Sequence, residues 1–403
     1  MALSVFRVAQ YRSFSLAYDS EKKQLEISIA FPSQGIEDNR AMLECAIPQH
    51  LRRERKCPVN TPPNYVPPFP AYCARFPTKM ADLVIAIMGV QCSPPSGSDA
   101  TSISKIKEFA SNAPNALRPS FWEVTAVTDK KGAYNVAVIA YWPGVDLHRK
   151  WQAESGFDAW WQSPDREHDG HGWFQEVLRP TVDRFETVFS NPEHPEGAAN
   201  MQEKISGEME EHAYWGSMRD RLAAAQDQEL KGSKLGSSND KVNGEHANGS
   251  MSKRVRVPGK QNLCVIRSGQ DWSDTLPEER KLYLEAIHPV LVEGMKFLRD
   301  EGRDVGCYAM NLWDVVEPKS FKANLERTFG LGYFDDLASL EHWSKSHQTH
   351  INIFGGFLMY AKKLNNVLSL RLFHEIYVLE PDQQFFEYIG CHEETGMMNA
   401  LRA

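Results

Sequence analysis

The amino-acid sequence predicts an α+β fold composed of two ferredoxin-like units. The first observation is that a β-α-β-β-α-β order of predicted elements occurs once in each half of the chain. The second is an aromatic spacing that repeats at matching points: Tyr141 precedes Trp151 by ten positions, and Tyr333 precedes Trp343 by ten. Repeated spacing at corresponding element junctions indicates an internal duplication.

Composition and charge narrow the class of protein. The chain has 403 residues, 42% of them hydrophobic, and a formal net charge of −8 with scattered cations, so we expect a sizeable core and no nucleic-acid partner. Seven cysteines without a CxxC pair predict neither a disulfide framework nor a zinc site, which favours a reducing, cytoplasmic location. No apolar run approaches the roughly 18 residues of a membrane span, so no membrane partner is expected.

The first 75 residues precede the regular pattern. We interpret residues 1–41 as an N-terminal extension that need not be native, because Met42 begins a segment that itself reads like the start of a protein. Residues 42–75 form a proline-rich arm. The stretch CPVNTPPNYVPPFP at 57–70 favours an extended, polyproline-like conformation that lies across a surface or a partner.

The first ferredoxin-like unit, with a connecting segment, is predicted over 76–227. Its elements are the strand DLVIAIMGVQC, the helix SKIKEFASNA, the strands FWEVTAV and AYNVAVIAYW, a helix from Trp151 to Trp161, and a strand around RFETVF. Residues 228–260 are rich in Gly, Ser, Asn and Lys and poor in apolar side chains, which predicts a disordered polar insert.

The second unit is predicted over 261–403 and repeats the same order. Its elements are the strand NLCVIRSG, a long helix from Pro277 to Asp300, strands near GCYAMNLW and RTFGLGYF, a helix from ASLEHW onward, and the strand LSLRLFHEIYVL. The candidate functional histidines lie on the last helix and the last strand of this list.

His350 opens a helical pattern whose apolar residues share its face. These residues are Ile353, Phe354, Phe357 and Ala361. A histidine in that position is usually a satisfied core residue, but the following pair Gly355-Gly356 favours a ligand. Glycine in a helix costs up to about 1 kcal/mol relative to alanine and is retained for close approach of something flat or bulky, such as a planar cofactor ligated by His350. His347 lies one turn earlier, and the two histidines could chelate a metal from one helical face. Because no third ligand lies nearby, we instead expect His347 to be exposed.

His374 lies on the aliphatic face of the predicted strand from Leu368 to Leu379. The other residues of that face are Leu368, Leu370, Leu372, Ile376 and Val378. The opposite face, which includes Phe373, Glu375 and Tyr377, is expected to meet solvent or another layer. A buried imidazole is a usual general acid or base, and a core histidine bonded to backbone is the alternative.

His350 and His374 lie on consecutive elements and could line one cavity. Three further side chains could lie in the same cavity. Arg221 ends the segment SGEMEEHAYWGSMRDR and offers a fixed donor fork, although composition alone favours a salt-bridged turn. Ser268 in IRSGQDW lies at a strand end, where most serines cap or turn, and no GxSxG elbow surrounds it. Glu186 in RFETVF could partner a histidine or be exposed. HDGHGW at 168–173 looks like a metal loop but is typical of ordinary turn chemistry.

Five segments in one order resemble the aldoxime dehydratases, haem enzymes that convert aldoximes to nitriles. They are SGEMEEHAYWGSMRDR, IRSGQDW with EERKLYL, SHQTHINIF, LRLFHE and FEYIGCHEETGM, and the resemblance runs from about Cys57 to Met398. It implies a pair of ferredoxin-like units in an α+β barrel-type haem protein, usually a homodimer, with haem b, ferrous when active, and a small-molecule aldoxime substrate. The extension, the insert and the connection at 362–368 depart from the family, which leaves aryl and alkyl aldoximes open.

The resemblance also implies catalytic roles, residue by residue. His374 matches a distal catalytic histidine, which would protonate the leaving hydroxyl. Ser268 matches a distal serine that hydrogen-bonds the substrate hydroxyl, and Arg221 matches a distal arginine. Glu186 corresponds to an acidic residue supporting the distal histidine, and a hydrogen bond between the two would raise the pKa of His374.

For the cofactor, the resemblance implies that His350 is the proximal haem ligand and that Gly355 and Gly356 let its helix lie near the macrocycle. Two alternatives use the same residues. One is a haem peroxidase-like enzyme, in which Arg221 and His374 would cleave peroxide, and the other is a non-catalytic haem sensor or carrier. An α+β barrel without a cofactor is the remaining interpretation.

Overall fold

The fold is described from a computed structural model over residues 13–19, 24–30, 43–92, 100–235 and 253–402. The strands of these residues are β1 (Ser13–Asp19), β2 (Gln24–Ala30), β3 (Ala74–Arg75), β4 (Val84–Cys92), β5 (Phe121–Thr128), β6 (Tyr134–Trp142), β7 (Gly172–Leu178), β8 (Phe185–Phe189), β9 (Lys204–Ile205), β10 (Arg254–Val257), β11 (Leu263–Asp271), β12 (Cys307–Val316), β13 (Arg327–Phe334), β14 (Arg371–Leu379) and β15 (Gln384–Ile389).

Helices cover the sheet from the outside. They are α1 (Ala100–Asn112), α2 (Val145–Glu154), α3 (Phe157–Gln162), α4 (Ser217–Arg221), α5 (Pro277–Leu282), α6 (His288–Asp300), α7 (Leu337–Ser346) and α8 (Gln348–Lys363). A π-helical turn, Tyr283–Ile287, joins α5 to α6, so the predicted long helix is continuous. The helix predicted from Trp151 to Trp161 is instead two helices, because Gly156 between them adopts a left-handed backbone with φ +83°.

Eleven of the described strands form one antiparallel sheet in the order β10-β15-β7-β4-β6-β5-β12-β13-β11-β14-β8. The sheet curls, since side chains from distant strands meet over one face. Tyr141 on β6 donates a hydrogen bond to Glu375 on β14 at 3.1 Å, and Tyr333 on β13 donates to Glu176 on β7. The protein is therefore an α+β fold with a curled sheet whose concave face encloses a core.

The strand around RFETVF is not the fourth strand of the first half, as expected. The fourth strand of the first half is β7, which the sequence analysis missed because its central residues Gln175 and Glu176 are polar yet buried. The RFETVF strand is β8, and it pairs with β14 of the second half. Reciprocally, β15 at the end of the second half pairs with β7 of the first half. The two halves are thus interlocked along both ends of the sheet.

The repeated aromatic spacing corresponds to repeated packing. Trp142 at the end of β6 contacts Trp151 on α2, with ring centroids 4.6 Å apart. Phe334 at the end of β13 contacts Trp343 on α7, with ring centroids 6.4 Å apart. In both halves an aromatic side chain at the end of the third strand anchors the helix that follows.

The segments outside the two halves follow the expectations only in part. The arm lies across this chain's own surface: the Asn60 amide donates to Asp220 at 2.9 Å, and Thr61 contacts the Tyr214 hydroxyl at 2.7 Å. The prediction of disorder over 228–260 is wrong for 228–235, where Leu230 is buried and the Lys231 carbonyl accepts a hydrogen bond from Asn262, and for Arg254–Val257, which pairs with β15. The rest of that prediction at 236–252, and Met42, lie outside the described residues.

None of the described helices combines the length and the apolar character needed to cross a membrane. The HDGHGW loop uses its polar groups locally, since Asp169 accepts a hydrogen bond from the Trp173 indole at 3.0 Å. His168 Nδ1 lies 3.0 Å from the carbonyl of Pro164. This segment is therefore a turn that leads into β7.

Candidate active site

Two adjacent strands place Ser268 and His374 directly opposite each other. The register of β11 and β14 pairs them across the antiparallel ladder, where facing Cβ atoms are about 4.5–5.5 Å apart. Both side chains share the helix-covered face of the sheet with Ile266 and Ile376, which pack against α6 and α7. The opposite face of β14 meets the concave core and not solvent, since Glu375 is 1% exposed.

Glu186 and Arg221 form a buried ion pair beside this strand pair. Glu186 faces Ile376 across β8 and β14 and therefore lies on the same face as His374. Arg221 at the end of α4 donates from Nε to Oε2 and from Nη2 to Oε1 of Glu186, both at 2.8 Å. Its Nη1 donates to the carbonyl of Glu211 at 2.9 Å. Every nitrogen of the guanidinium is thus oriented, which fixes the charge in one place.

The imidazole of His374 is held in its neutral form. Its Nε2 lies 3.0 Å from Arg221 Nη2, and a guanidinium can only donate, so Nε2 accepts this hydrogen bond. Burial, the Arg221 cation and the neighbouring His212 and His350 all lower the pKa of His374 well below its ordinary value. The ring nevertheless keeps 29% of its side-chain surface accessible, so a small molecule can reach it.

Glu186 makes no direct hydrogen bond to His374. The carboxylate lies 4.0 Å from His374 Nε2 but gives both oxygens to Arg221, so the arginine stands between the acid and the histidine. A cation adjacent to imidazole disfavours the imidazolium. The predicted rise in the pKa of His374 depended on a hydrogen bond to Glu186; without it, burial and the Arg221 cation hold the pKa well below its ordinary value.

His350 lies near the start of α8, between two tryptophans. Its ring is 4.8 Å from Trp343 and 6.1 Å from Trp215, both in edge-on geometry. Burial lowers the pKa of His350 to about 4. The imidazole is therefore neutral at physiological pH, which is the form that binds a metal.

The ring nitrogens and the glycines of α8 fit a flat iron-containing group. His350 Nδ1 is enclosed and makes no hydrogen bond to the described residues, which leaves Nε2 as the nitrogen that can bind iron. A Cβ added at Gly355 would meet nothing within 4 Å, and one at Gly356 would meet only Ile287 at 3.5 Å. Since no described side chain requires glycine at 355, the open space there suits a macrocycle.

His347 was expected to be exposed, but it is half-buried and has a structural role. It is the N-cap of α8, and its Nδ1 lies 2.9 Å from the Thr349 hydroxyl. Its ring stacks on Phe297 with centroids 3.9 Å apart. These contacts occupy the imidazole at the beginning of the helix, one turn before His350.

Sequence reasoning missed three residues of the site: His212, Trp215 and the carbonyl of Glu211. Trp215 also packs on Phe354 of α8, with centroids 5.3 Å apart, so it braces the helix that carries His350. Burial and the nearby Arg221 lower the pKa of His212 to about 3. The sequence feature that could have pointed to them is their position in the EHAYW stretch, shortly before Arg221.

Comparison with known proteins agrees with this geometry. Residues 86–397 match the model of the haem-containing dehydratase family. An aliphatic aldoxime dehydratase of Pseudomonas sp. is 37% identical over 357 residues, 88% of this chain and 98% of that protein. A phenylacetaldoxime dehydratase of Bacillus sp. is 28% identical over 348 residues, 84% of this chain and 93% of that protein.

A solved structure is also similar. An aldoxime dehydratase crystallised with butyraldoxime superimposes with a TM-score of 0.80 at 33% sequence identity, covering 88% of this chain and 96% of that one. A family match over most of the chain, together with relatives above 30% identity along nearly their whole length, settles the membership. The chain belongs to the haem-containing dehydratases.

Proposed function

We propose that this protein dehydrates aldoximes, R–CH=N–OH, to nitriles and water with a haem held by His350. The observation that carries the proposal is the arrangement of Ser268, His374 and Arg221 at a common place on one sheet face, with a second, half-buried and neutral histidine, His350, on a different element. One histidine can hold the cofactor while the other handles protons. The aldoxime dehydratases among the relatives support the same reaction.

The hydroxyl of an oxime is a poor leaving group because hydroxide is strongly basic, so it must leave as water. When bound, the haem supplies a ferrous iron that acts as a Lewis acid toward the oxime nitrogen. Ser268 lies opposite His374 and can hydrogen-bond the substrate hydroxyl beside the imidazole. His374 rests neutral, so it must first take up a proton from solvent. The imidazolium then gives this proton to the hydroxyl and takes one from the substrate carbon, so the imidazolium is regenerated after a turnover.

The hydrogen bond from Arg221 defines how His374 can act. A neutral ring with Nε2 accepting from Arg221 carries its proton on Nδ1. Delivery of a proton from Nε2 therefore requires that Arg221 release this nitrogen and turn to the substrate hydroxyl. The lowered pKa of His374 makes the imidazolium a stronger acid, suited to a leaving group that is difficult to protonate.

We infer a preference for alkyl aldoximes over arylacetaldoximes. Four relatives named as aliphatic aldoxime dehydratases are 35–37% identical, whereas the phenylacetaldoxime dehydratase is 28% identical. The similar solved enzyme was crystallised with butyraldoxime, a short alkyl substrate.

We also propose that each half is a ferredoxin-like unit and that the protein is a homodimer in the cytoplasm. The strand orders β7-β4-β6-β5 and β14-β11-β13-β12 are equivalent when each half is numbered from its own first strand. Both halves also alternate strands and helices as β-α-β-β-α-β. This is the pattern of the split βαβ fold.

The function is tested with anaerobic spectra of the dithionite-reduced protein, with and without butyraldoxime or phenylacetaldoxime, followed by assays for the two nitriles. We expect a Soret shift with each substrate and faster formation of butyronitrile. Haem without nitrile would favour the peroxidase or sensor interpretation instead. A protein that takes up no haem would refute the role of His350.

A further inference from the structure

Behind the Ser268–His374 pair, the same two strands carry a buried ion pair. The register of β11 and β14 pairs Arg267 with Glu375, one position away from Ser268 and His374. Because successive side chains on a strand alternate, this second pair points into the concave core while the first points toward the helices. Arg267 and Glu375 are each 1% exposed.

Glu375 is held by four partners. One oxygen accepts hydrogen bonds from the hydroxyls of Tyr141 at 3.1 Å and Tyr377 at 2.5 Å and lies 3.7 Å from Arg267 Nη1. The other accepts from the backbone amide of Ala198 at 2.5 Å. The carboxylate is therefore anchored from β6, from β14 itself and from the 197–201 turn.

Arg267 contacts both halves of the chain. Its Nη2 contacts Glu123 on β5, and its guanidinium lies over the Phe329 and Phe373 rings at 4.4 and 4.9 Å. The backbone of Gly197 lies so close to the pair that a Cβ there would come within 2.1 Å of Glu375 and 2.5 Å of Arg267. The first half thus clamps both strands that carry the catalytic residues.

Stability alone does not explain this pair. Arg267 Nε and Nη1 make no hydrogen bond to the described residues, which is a net cost for buried N–H groups. A buried ion pair is often replaceable by apolar residues without loss of stability. Its best-attested benefit is to specify one structural register over others.

The register of β11 on β14 is where such specification matters. A shift by two positions would keep every side chain on the same face of the sheet. The aliphatic residues around Ser268 would therefore discriminate only weakly between the native register and the shifted one. The shift would place Arg267 opposite Phe373 or Tyr377 and would leave Glu375 buried without its cation. An unpaired buried charge is strongly unfavourable, so the pair excludes these alternatives.

We infer that Arg267 and Glu375 are positioning residues that hold Ser268 opposite His374 from the reverse face of the strands. They touch neither substrate nor cofactor and act through the two catalytic side chains. This inference rests on the proposed function.

The test compares the holoenzyme with the variant R267M/E375L, which replaces the ion pair by an apolar pair. Glu123 keeps a cation in this variant, because Arg327 Nη2 lies 3.2 Å from it. The matched control is R254M/E387L, an ion pair at 2.7 Å between β10 and β15, which lie at the opposite end of the sheet from β11 and β14. Measurements are thermal unfolding, the aldoxime dissociation constant from the Soret shift, and kcat.

A positioning role predicts that kcat of R267M/E375L falls about 100-fold, as expected for a displacement of about 1 Å, while substrate affinity and the unfolding midpoint change little. Adding S268A to this variant should lower kcat only slightly further, because the serine is already misplaced. The control should retain the kcat of the unaltered protein.

Unchanged kcat, or losses that multiply with that of S268A, would overturn the inference. Parallel losses of kcat, affinity and stability would also overturn it, since they indicate a merely structural pair. Should the double variant fail to fold, E375Q decides by the same criteria. If the unaltered protein forms no nitrile, the proposed function fails. If the unaltered protein forms nitrile and the variant has the same kcat, only the positioning role fails.

Discussion

Arg221 donates a hydrogen bond to His374 Nε2 at 3.0 Å while both of its ion-pair hydrogen bonds go to Glu186. The three groups are therefore electrostatically coupled: the carboxylate compensates the charge of the arginine, and the arginine disfavours the imidazolium. The protonation of the proposed catalytic histidine depends on an acid that it does not contact directly.

The first prediction concerns Glu186→Gln. Removal of the carboxylate leaves the Arg221 cation uncompensated beside His374, so the already lowered pKa of His374 should fall further. The limb of the kcat/KM profile that requires the imidazolium should move to lower pH by about one unit, with about a tenfold loss of activity at pH 7. Glu387→Gln is the control, because Glu387 binds Arg254 at the end of the sheet opposite to the site. An unshifted profile would contradict the coupling.

The second prediction distinguishes the roles of His347 and His350, the two histidines of the SHQTHINIF segment. His350→Ala should abolish the stoichiometric haem content of the purified protein, measured as a pyridine haemochrome, because it removes the iron ligand. His347→Ala should retain haem and lose about 1 kcal/mol of stability, since His347 caps the helix. Equal haem content in both variants would refute the assignment of the ligand.

The third prediction gives Gly355→Ala effects of opposite sign. The added Cβ meets nothing within 4 Å, so the haem-free protein should gain up to about 1 kcal/mol in unfolding free energy from helix propensity. The same methyl group would intrude on the space for the macrocycle, so haem affinity should fall. Denaturant unfolding and haem titration measure the two effects. A variant that binds haem as tightly as the unaltered protein would show that the space serves something else.

The fourth prediction concerns stability and His148, which lies away from the active site. The ring is 0% exposed, neither nitrogen has a hydrogen-bond partner among the described residues, and burial lowers its pKa to about 3. The unfolded chain takes up this proton near pH 6.5 and the folded chain does not, so stability is fully present above pH 6.5 and is lost as pH falls.

From pH 7 to 4.5 this histidine should cost about 2–3 kcal/mol of unfolding free energy. His148→Phe should remove that part of the loss while preserving the packing against Trp142 and Trp151. Urea denaturation of both proteins at the two pH values measures the difference. Identical pH dependence would show that His148 does not titrate on unfolding.

The sequence by itself determined much of the element order and the side of each strand. Alternation along β14 placed His374 on the apolar face, which the structure covers with helices, because a period of two fixes which residues share a face. The same reasoning from alternation failed at β7, where the buried residues Gln175 and Glu176 are polar and hide the period of two. Local patterns report burial only when the buried residues are apolar.

Only the tertiary structure decided how the site is assembled and charged. Arg221 and His374 are 153 positions apart, and no local pattern shows that the arginine stands between Glu186 and the histidine. Burial and the Arg221 cation lower the pKa of His374, whereas sequence reasoning expected a rise from a hydrogen bond to Glu186 that does not form. The exchange of β8 and β15 between the halves is likewise a pairing of distant segments. Such contacts arise when the whole sheet closes, because each strand can pair with many others until the shared core selects one order.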